Sequence, residues 1–273
     1  MSEFLRRGRR LRSFDRVNRV LVATVIAWAA ACTVAAGETE PKIRIAYVGD
    51  STADGLWGGA TSLVSHNSCW KGALELGRYA KNSTGLTRPE KFDWPKEARK
   101  LAETFKPEVF VVSLGINDRQ SVVDRTESGA RRVTLEDSPE YPQRYRERVT
   151  LMLKGATATN ASVLWVGLSA MRETATNVDA QRKNKLFAEA IAEFNVPGVQ
   201  YVPPWRLNET GEEVFTTYAR DKNGRMIHIR AADGEHFTAA GDELVATYVF
   251  PKIVASLGNR GVDINRACPT ATQ

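Results

Sequence analysis

The sequence predicts a single α/β domain whose parallel sheet is covered on both faces. Strand-like and helix-like stretches alternate from residue 43 onward, and the strands are apolar throughout. No internal repeat or Gly/Ser-rich linker divides the 273 residues, which are enough to bury a substantial core without metals or many disulfides.

Ile43, Ile45 and Val48, with Ala46 and Tyr47, form the first strand, which ends abruptly in Gly49-Asp50-Ser51. Glycine permits a sharp turn there, so the small polar residues that follow stand at the strand's carboxyl end. Read alone, Ser51 is either a turn or cap residue or a nucleophile. Ala73–Ala80 is the second strand, weakened by Gly77. Trp94, Ala98, Leu101, Ala102 and Phe105 fall at helical spacing behind Asp93 and Pro95. Val109–Leu114 is the strongest strand. Tyr145, Val149, Met152, Leu153 and Ala156 stripe the next helix, entered through Ser138, Pro139 and Pro142. Ser162–Leu168 is a fourth strand, and Leu186, Phe187, Ala190, Ile191 and Phe194 mark a helix that stops at Asn195-Val196-Pro197-Gly198. Val199–Val202 is a fifth strand. The last helix spans about Thr238 to Leu257, with a kink or break expected at Pro251. Arg119–Gln143 is polar and too long for an ordinary connection, as a flap beside a site would be. Phe215–Arg220 and Arg225–Arg230 flank Asp221-Lys222-Asn223-Gly224 as a hairpin, and the tail after Gly258 is irregular.

The net charge of +6 first suggests an acidic partner, but seven arginines precede residue 20. Beyond residue 36 the chain carries 31 basic and 30 acidic side chains, so nucleic acid loses its main support as a partner. Val20–Ala36 is uncharged and ends in small residues. Residues 1–36 therefore read as an export signal or an uncleaved amino-terminal membrane anchor, and residues 37–273 as the folded body. Either leader places that body outside the cytoplasm, in the periplasm or tethered to the inner membrane. In such a compartment Cys69 and Cys268 either pair or remain thiols, because sequence supplies no distance between them. No Cys/His spacing suggests a zinc site. The Gly-x-Gly-x-x-Gly, P-loop, His-Glu-x-x-His and Gly-x-Ser-x-Gly patterns are missing too, which disfavours nucleotide-dependent, zinc and standard α/β-hydrolase chemistry.

Ligands of an open parallel sheet bind beyond the carboxyl ends of its strands. There the sequence places Gly49-Asp50-Ser51, then Asn82–Leu86, then Gly115-Ile116-Asn117-Asp118, and before the last helix Asp233-Gly234-Glu235-His236. These residues have complementary roles. Ser51 needs a base, and His236 is one of three histidines; Asp233, three residues earlier, can reach back to hold its tautomer. The N–H groups of Ser51 and Gly85 and the Asn117 side-chain amide can receive an oxyanion. The bland alternatives are a turn at Gly115 and Asn117, a cap at Asp233 and a surface role for His236. His66 and His228 lack such partners and read as structural. Asp118 and Arg119 are expected at the rim, where Arg119 either binds an anionic substrate or braces the loop. Trp57, Trp70 and Trp205 belong to the core or to a sugar-binding cleft.

Gly-Asp-Ser at 49–51, Gly-x-Asn-Asp at 115–118 and Asp-x-x-His at 233–236 resemble, in order, the motifs of the SGNH, or GDSL-type, hydrolases. Ser51, Gly85, Asn117 and His236 would be the four marker residues. Ser83–Pro89 with Asp93-Trp94-Pro95 resembles a bacterial exported branch of formerly unknown function. The resemblance runs from about residue 43 to 257. It implies a flavodoxin-like three-layer α/β/α fold with a central five-stranded parallel sheet, and ester hydrolysis through an acyl-serine without metal or cofactor. Thr52 departs from the family's usual leucine, removing an apolar contact beneath the turn but no catalytic group. Location and family together suggest short-chain or acetyl esters on cell-envelope glycans. An O-acyltransferase acting on an envelope sugar, or a non-catalytic glycan-binding protein, are the alternatives. As His236 must be neutral to act as base, kcat/KM toward an ester should fall on the acid side of neutrality. A rate flat between about pH 5 and 8 would count against that role.

Overall fold

Near-continuous apolar strands can bury both faces, and the inner strands of the sheet do so, while its two edge strands are only partly buried. The computed structural model describes residues 41–205 and 214–265. The leader and Cys268 lie outside the described residues. In chain order the elements are β1 (Ile43–Gly49), α1 (Ser51–Ser65), α2 (Ser68–Ala73), β2 (Leu74–Ala80), α3 (Trp94–Thr104), β3 (Val109–Ser113), β4 (Val122–Arg125) and β5 (Arg131–Thr134). There follow α4 (Tyr141–Ala156), β6 (Ser162–Val166), α5 (Thr174–Phe194), β7 (Val199–Val202), β8 (Tyr218–Arg220), β9 (Met226–His228) and α6 (Ala239–Gly258).

The central sheet is parallel and five-stranded, in the order β2-β1-β3-β6-β7. Successive side chains of a strand point to opposite faces, and here each face has its own core. Ile43, Ile45 and Tyr47 of β1, with Val109, Val111, Leu164 and Val166, pack against α1 and α6. Ala46 and Val48, with Phe110, Val112, Val163 and Trp165, pack against α3, α4 and α5. This is the expected three-layer arrangement. Among the described residues, no helix is long and apolar enough to cross a membrane.

Several local expectations shift. Ala73 ends the short helix α2 rather than opening β2, because Asn67 caps that helix through the N–H groups of Cys69 and Trp70. β3 and β6 stop short of Leu114 and Leu168, where the chain turns into its loops. The long polar stretch 119–143 carries a second sheet, the antiparallel β4–β5 hairpin. The hairpin at Asp221–Gly224 forms as β8 and β9. α6 runs through Pro251 without a break. Pro251 itself is exposed, while Val249, Phe250, Ile253 and Leu257 are buried, so packing outweighs the one missing hydrogen bond. Trp57, Trp70 and Trp205 pack against the core on the α1/α6 side, Trp70 tilted against Phe250. Cys69 is disulfide-bonded. His66 caps the end of α1, and His228 lies against the ring of Tyr218.

Candidate active site

The site is assembled where the first three strands end. Gly49 has φ +148°, and a Cβ there would sit 1.8 Å from the Ser113 carbonyl oxygen, so the turn admits only glycine. Asp50, fully buried, caps α1 by accepting from the Thr52 N–H (2.9 Å) and hydroxyl (2.7 Å). Its other oxygen accepts from the N–H groups of Gly115 (2.9 Å) and Ile116 (3.3 Å). The carboxylate thus fixes the serine turn to the loop after β3. Burial pushes it up to about 6 against the hydrogen bonds from Thr52 and Gly115. Thr52 is more than a lost apolar contact, since its hydroxyl bonds both Asp50 and Ser113 (2.8 Å).

Ser51 opens α1, and its hydroxyl lies 2.7 Å from Nε2 of His236. Nδ1 of His236 lies 2.8 Å from Asp233 Oδ2. A carboxylate there can only accept, so Nδ1 carries the proton and Nε2 presents its lone pair to Ser51. Asp233 Oδ1 also accepts from the N–H groups of Glu235 (2.8 Å) and His236 (3.0 Å). Burial alone would raise Asp233, but these bonds and the imidazole hold it down at about 2. The Asp233–His236 turn is held from behind by Arg230, whose guanidinium is buried against the Phe237 ring at 3.8 Å. It donates to the carbonyls of Glu235 (2.9 Å) and Ala170 (2.6 Å). Burial lowers Arg230 to about 10.

Asp118 overturns the rim assignment. It is fully buried and accepts from the N–H groups of Leu86 and Thr87 (both 3.0 Å), the Thr87 hydroxyl (2.7 Å) and the Tyr145 hydroxyl (2.9 Å). A Cβ on Gly85 would meet its carboxylate at 2.0 Å, so Gly85 has to be glycine. Asn117 donates one amide hydrogen to the Thr84 carbonyl (3.0 Å), leaving the other free. Among the described residues, neither the Ser51 nor the Gly85 N–H donates to a protein acceptor. Arg119, by contrast, is exposed as expected.

A cavity of about 90 Å³ opens beside Ser51 and His236, between α1, α6 and the ends of β3 and β6. Asp242 lines it, its carboxyl against Gly55 of α1, where a Cβ would come within 2.5 Å. Burial pushes Asp242 up to about 7. No cluster capable of holding a metal ion occurs among the described residues. Asp50, Arg230 and Asp242 were not assigned from sequence. Only Asp50 had a signal, its place inside Gly-Asp-Ser.

The family model described as "Protein of unknown function (DUF459)" matches residues 44–252. The chain belongs to this family. No curated protein matches it in sequence. Solved structures similar to it include an acetyl esterase, at 11% identity and TM-score 0.53, covering 80% of this chain and 99% of that one. A carbohydrate esterase family 3 protein from Talaromyces cellulolyticus matches at 12% identity and 0.53, with the same coverage. An acetyl-xylooligosaccharide esterase from Geobacillus matches at 16% and 0.52, covering 78% of this chain and 96% of that one. At these identities the likeness is one of fold, the SGNH hydrolase fold.

The buried acids give stability a definite pH dependence. Asp50 and Asp242 are raised above the ordinary aspartate value of 3.8, so their contribution is complete below about pH 4 and is lost as pH rises through about 6 and 7. Asp233 has the opposite sign, its contribution being lost as pH falls from about 4 toward 2. Urea midpoints of the wild type should therefore decline from pH 4 to 7, and Asp50→Asn should flatten part of that slope. An unchanged slope in the variant would show that Asp50 does not titrate in this window.

Proposed function

We propose that this protein is a serine esterase that hydrolyses short-chain acyl esters through an acyl-serine intermediate. The reading is carried by the hydrogen-bonded chain Ser51–His236–Asp233. Ser51 Oγ attacks the ester carbonyl carbon while its proton passes to Nε2 of His236. The carbonyl oxygen becomes an oxyanion, received by the Ser51 and Gly85 N–H groups and the free amide hydrogen of Asn117. Collapse breaks the bond to the alcohol, which leaves with the proton from His236. Water then attacks the acyl-serine with His236 again as base, releasing the acid and restoring Ser51. Asp233, at about 2, is ionised throughout the working range and stabilises the imidazolium formed in each half-reaction.

The size of the cavity supports a short acyl group. At about 90 Å³ it accommodates an acetyl or another small acyl group beside Ser51. The arginine-rich leader with its apolar run supports export, and hence an ester on a cell-envelope glycan. That two proteins of the same fold are described as esterases of carbohydrates suits this substrate class.

The full chain should hydrolyse an aryl acetate, and Ser51→Ala should reduce turnover to background. Asp233→Asn should lower kcat/KM by about 10³–10⁴-fold. The asparagine oxygen can still accept from the Glu235 and His236 N–H groups, so the turn is kept while the proton location on His236 is lost. Intact mass after a serine-directed inhibitor should show one adduct, at Ser51. Equal rates in wild type and Ser51→Ala, without an adduct in folded protein, would sink the esterase reading. Product analysis with a glycan acceptor distinguishes hydrolysis from acyl transfer.

A further inference from the structure

A charged groove lies between the β4–β5 hairpin and α4, with a volume of about 520 Å³. Its acids are already engaged. Asp124 gives both oxygens to Arg132 (2.7 and 2.5 Å), Glu147 pairs with Arg144 (2.8 Å), Glu90 pairs with Arg88, and Asp93 caps α3. Its arginines are not all engaged. Arg148 is buried to 8% exposure, yet its Nη2 makes no hydrogen bond among the described residues; the nearest acid, Asp93, is 3.8 Å away. The exposed Arg131 side chain makes no hydrogen bond and no ion pair within 4 Å among the described residues, although its charge helps to lower Glu90. Arg125 donates only to the Gly129 carbonyl.

A guanidinium offers a planar fork of donors that fits carboxylate and phosphate oxygens, and three such forks with spare donors face one groove. A buried donor that makes no hydrogen bond is costly, so a ligand that supplies an acceptor provides the bond that the protein itself does not make. We propose that this groove is a subsite for an acidic sugar chain, binding a carboxylate or phosphate on Arg125, Arg131 and Arg148. As a subsite for the substrate, it rests on the esterase reading. The groove is joined to the segment that carries the oxyanion glycine: Arg148 Nε donates to the Leu86 carbonyl (3.1 Å) and the Val123 N–H to that of Thr87 (2.8 Å). Gly85 and Pro89, which lines the groove, are four residues apart, at most about 14 Å. A short oligosaccharide with its ester at Ser51 spans that distance.

The test is calorimetric titration of the full chain with an oligogalacturonate, a glycerol phosphate oligomer and a neutral xylo-oligosaccharide. At least one anionic probe should bind, with affinity falling as salt rises, and the probe that binds identifies carboxylate or phosphate as the recognised group. The Arg125→Ala/Arg131→Ala variant, altered only at exposed positions, should bind it at least about tenfold more weakly while hydrolysing aryl acetate at the wild-type rate. The proposal is overturned if neither anionic probe binds, if the neutral chain binds as well, or if the variant binds unchanged. Salt-dependent binding without ester turnover would remove the esterase reading and leave the anion site standing.

Discussion

The arrangement depends first on one buried carboxylate. Asp50 receives four donors, two from Thr52 on its own turn and two from the loop after β3. Without it, the N–H groups at the start of α1 and those of Gly115 and Ile116 would be left without acceptors in a buried place. Gly49 brings the two strands close enough for this bridge, because its missing Cβ lets it lie against the Ser113 carbonyl. Ser51 is therefore aimed by groups that do not react. Preorganisation of this kind allows a hydroxyl to meet a histidine 185 positions away at 2.7 Å.

The sheet order explains why these loops meet at all. From β1 the chain passes to β2 on one side and then crosses to β3 on the other, so the connections leave the β1/β3 junction on opposite faces. The crevice this opens lies beyond the carboxyl ends. Hydrogen bonds close its floor: the Lys81 N–H to the Gly49 carbonyl (2.8 Å), the Asp50 N–H to that of Ser113 (3.3 Å), and the Leu86 and Thr87 N–H groups to the Asp118 carboxylate. The second core, under α1 and α6, brings in the fourth loop. α6 packs closely along α1, where a Cβ on Gly59 would sit 2.2 Å from the Asp242 carbonyl, and this carries His236 to the serine.

Much of this was legible in the sequence. The inner strands β1, β3 and β6 are visible because burial on both faces requires near-continuous apolar runs, as in Val109–Val112. The Ser51, Asn117, Asp233 and His236 positions follow from short motifs at strand ends, where the topology concentrates function. What was hidden depends on tertiary contacts. α1 carries Gly55, Gly58 and Gly59, poor helix residues in isolation, and forms because two of them allow α6 to approach. Asp118 looks like a rim residue because carboxylates usually stay in water, and only the structure supplies its four donors. Arg230 gave no signal either, since nothing in its neighbours announces a burial against Phe237.

Asp50, Asp118 and Asp233 divide their work by exposure. Asp50 and Asp118 are fully buried and each spends its oxygens on several donors, so both are committed to holding loops. Asp233 has a half-exposed side chain, with one oxygen given to backbone N–H groups and the other left for the imidazole. Exposure lowers the cost of keeping its charge, and the backbone donors favour the ionised form further. In the proposed reaction that charge persists while the imidazole alternates between neutral and protonated. A carboxylate buried like Asp50, raised toward neutrality, would be a poorer partner for a histidine that must become a cation. The placement of each acid, inside where it braces loops and outside where it faces the imidazole, thus follows from what surrounds its charge.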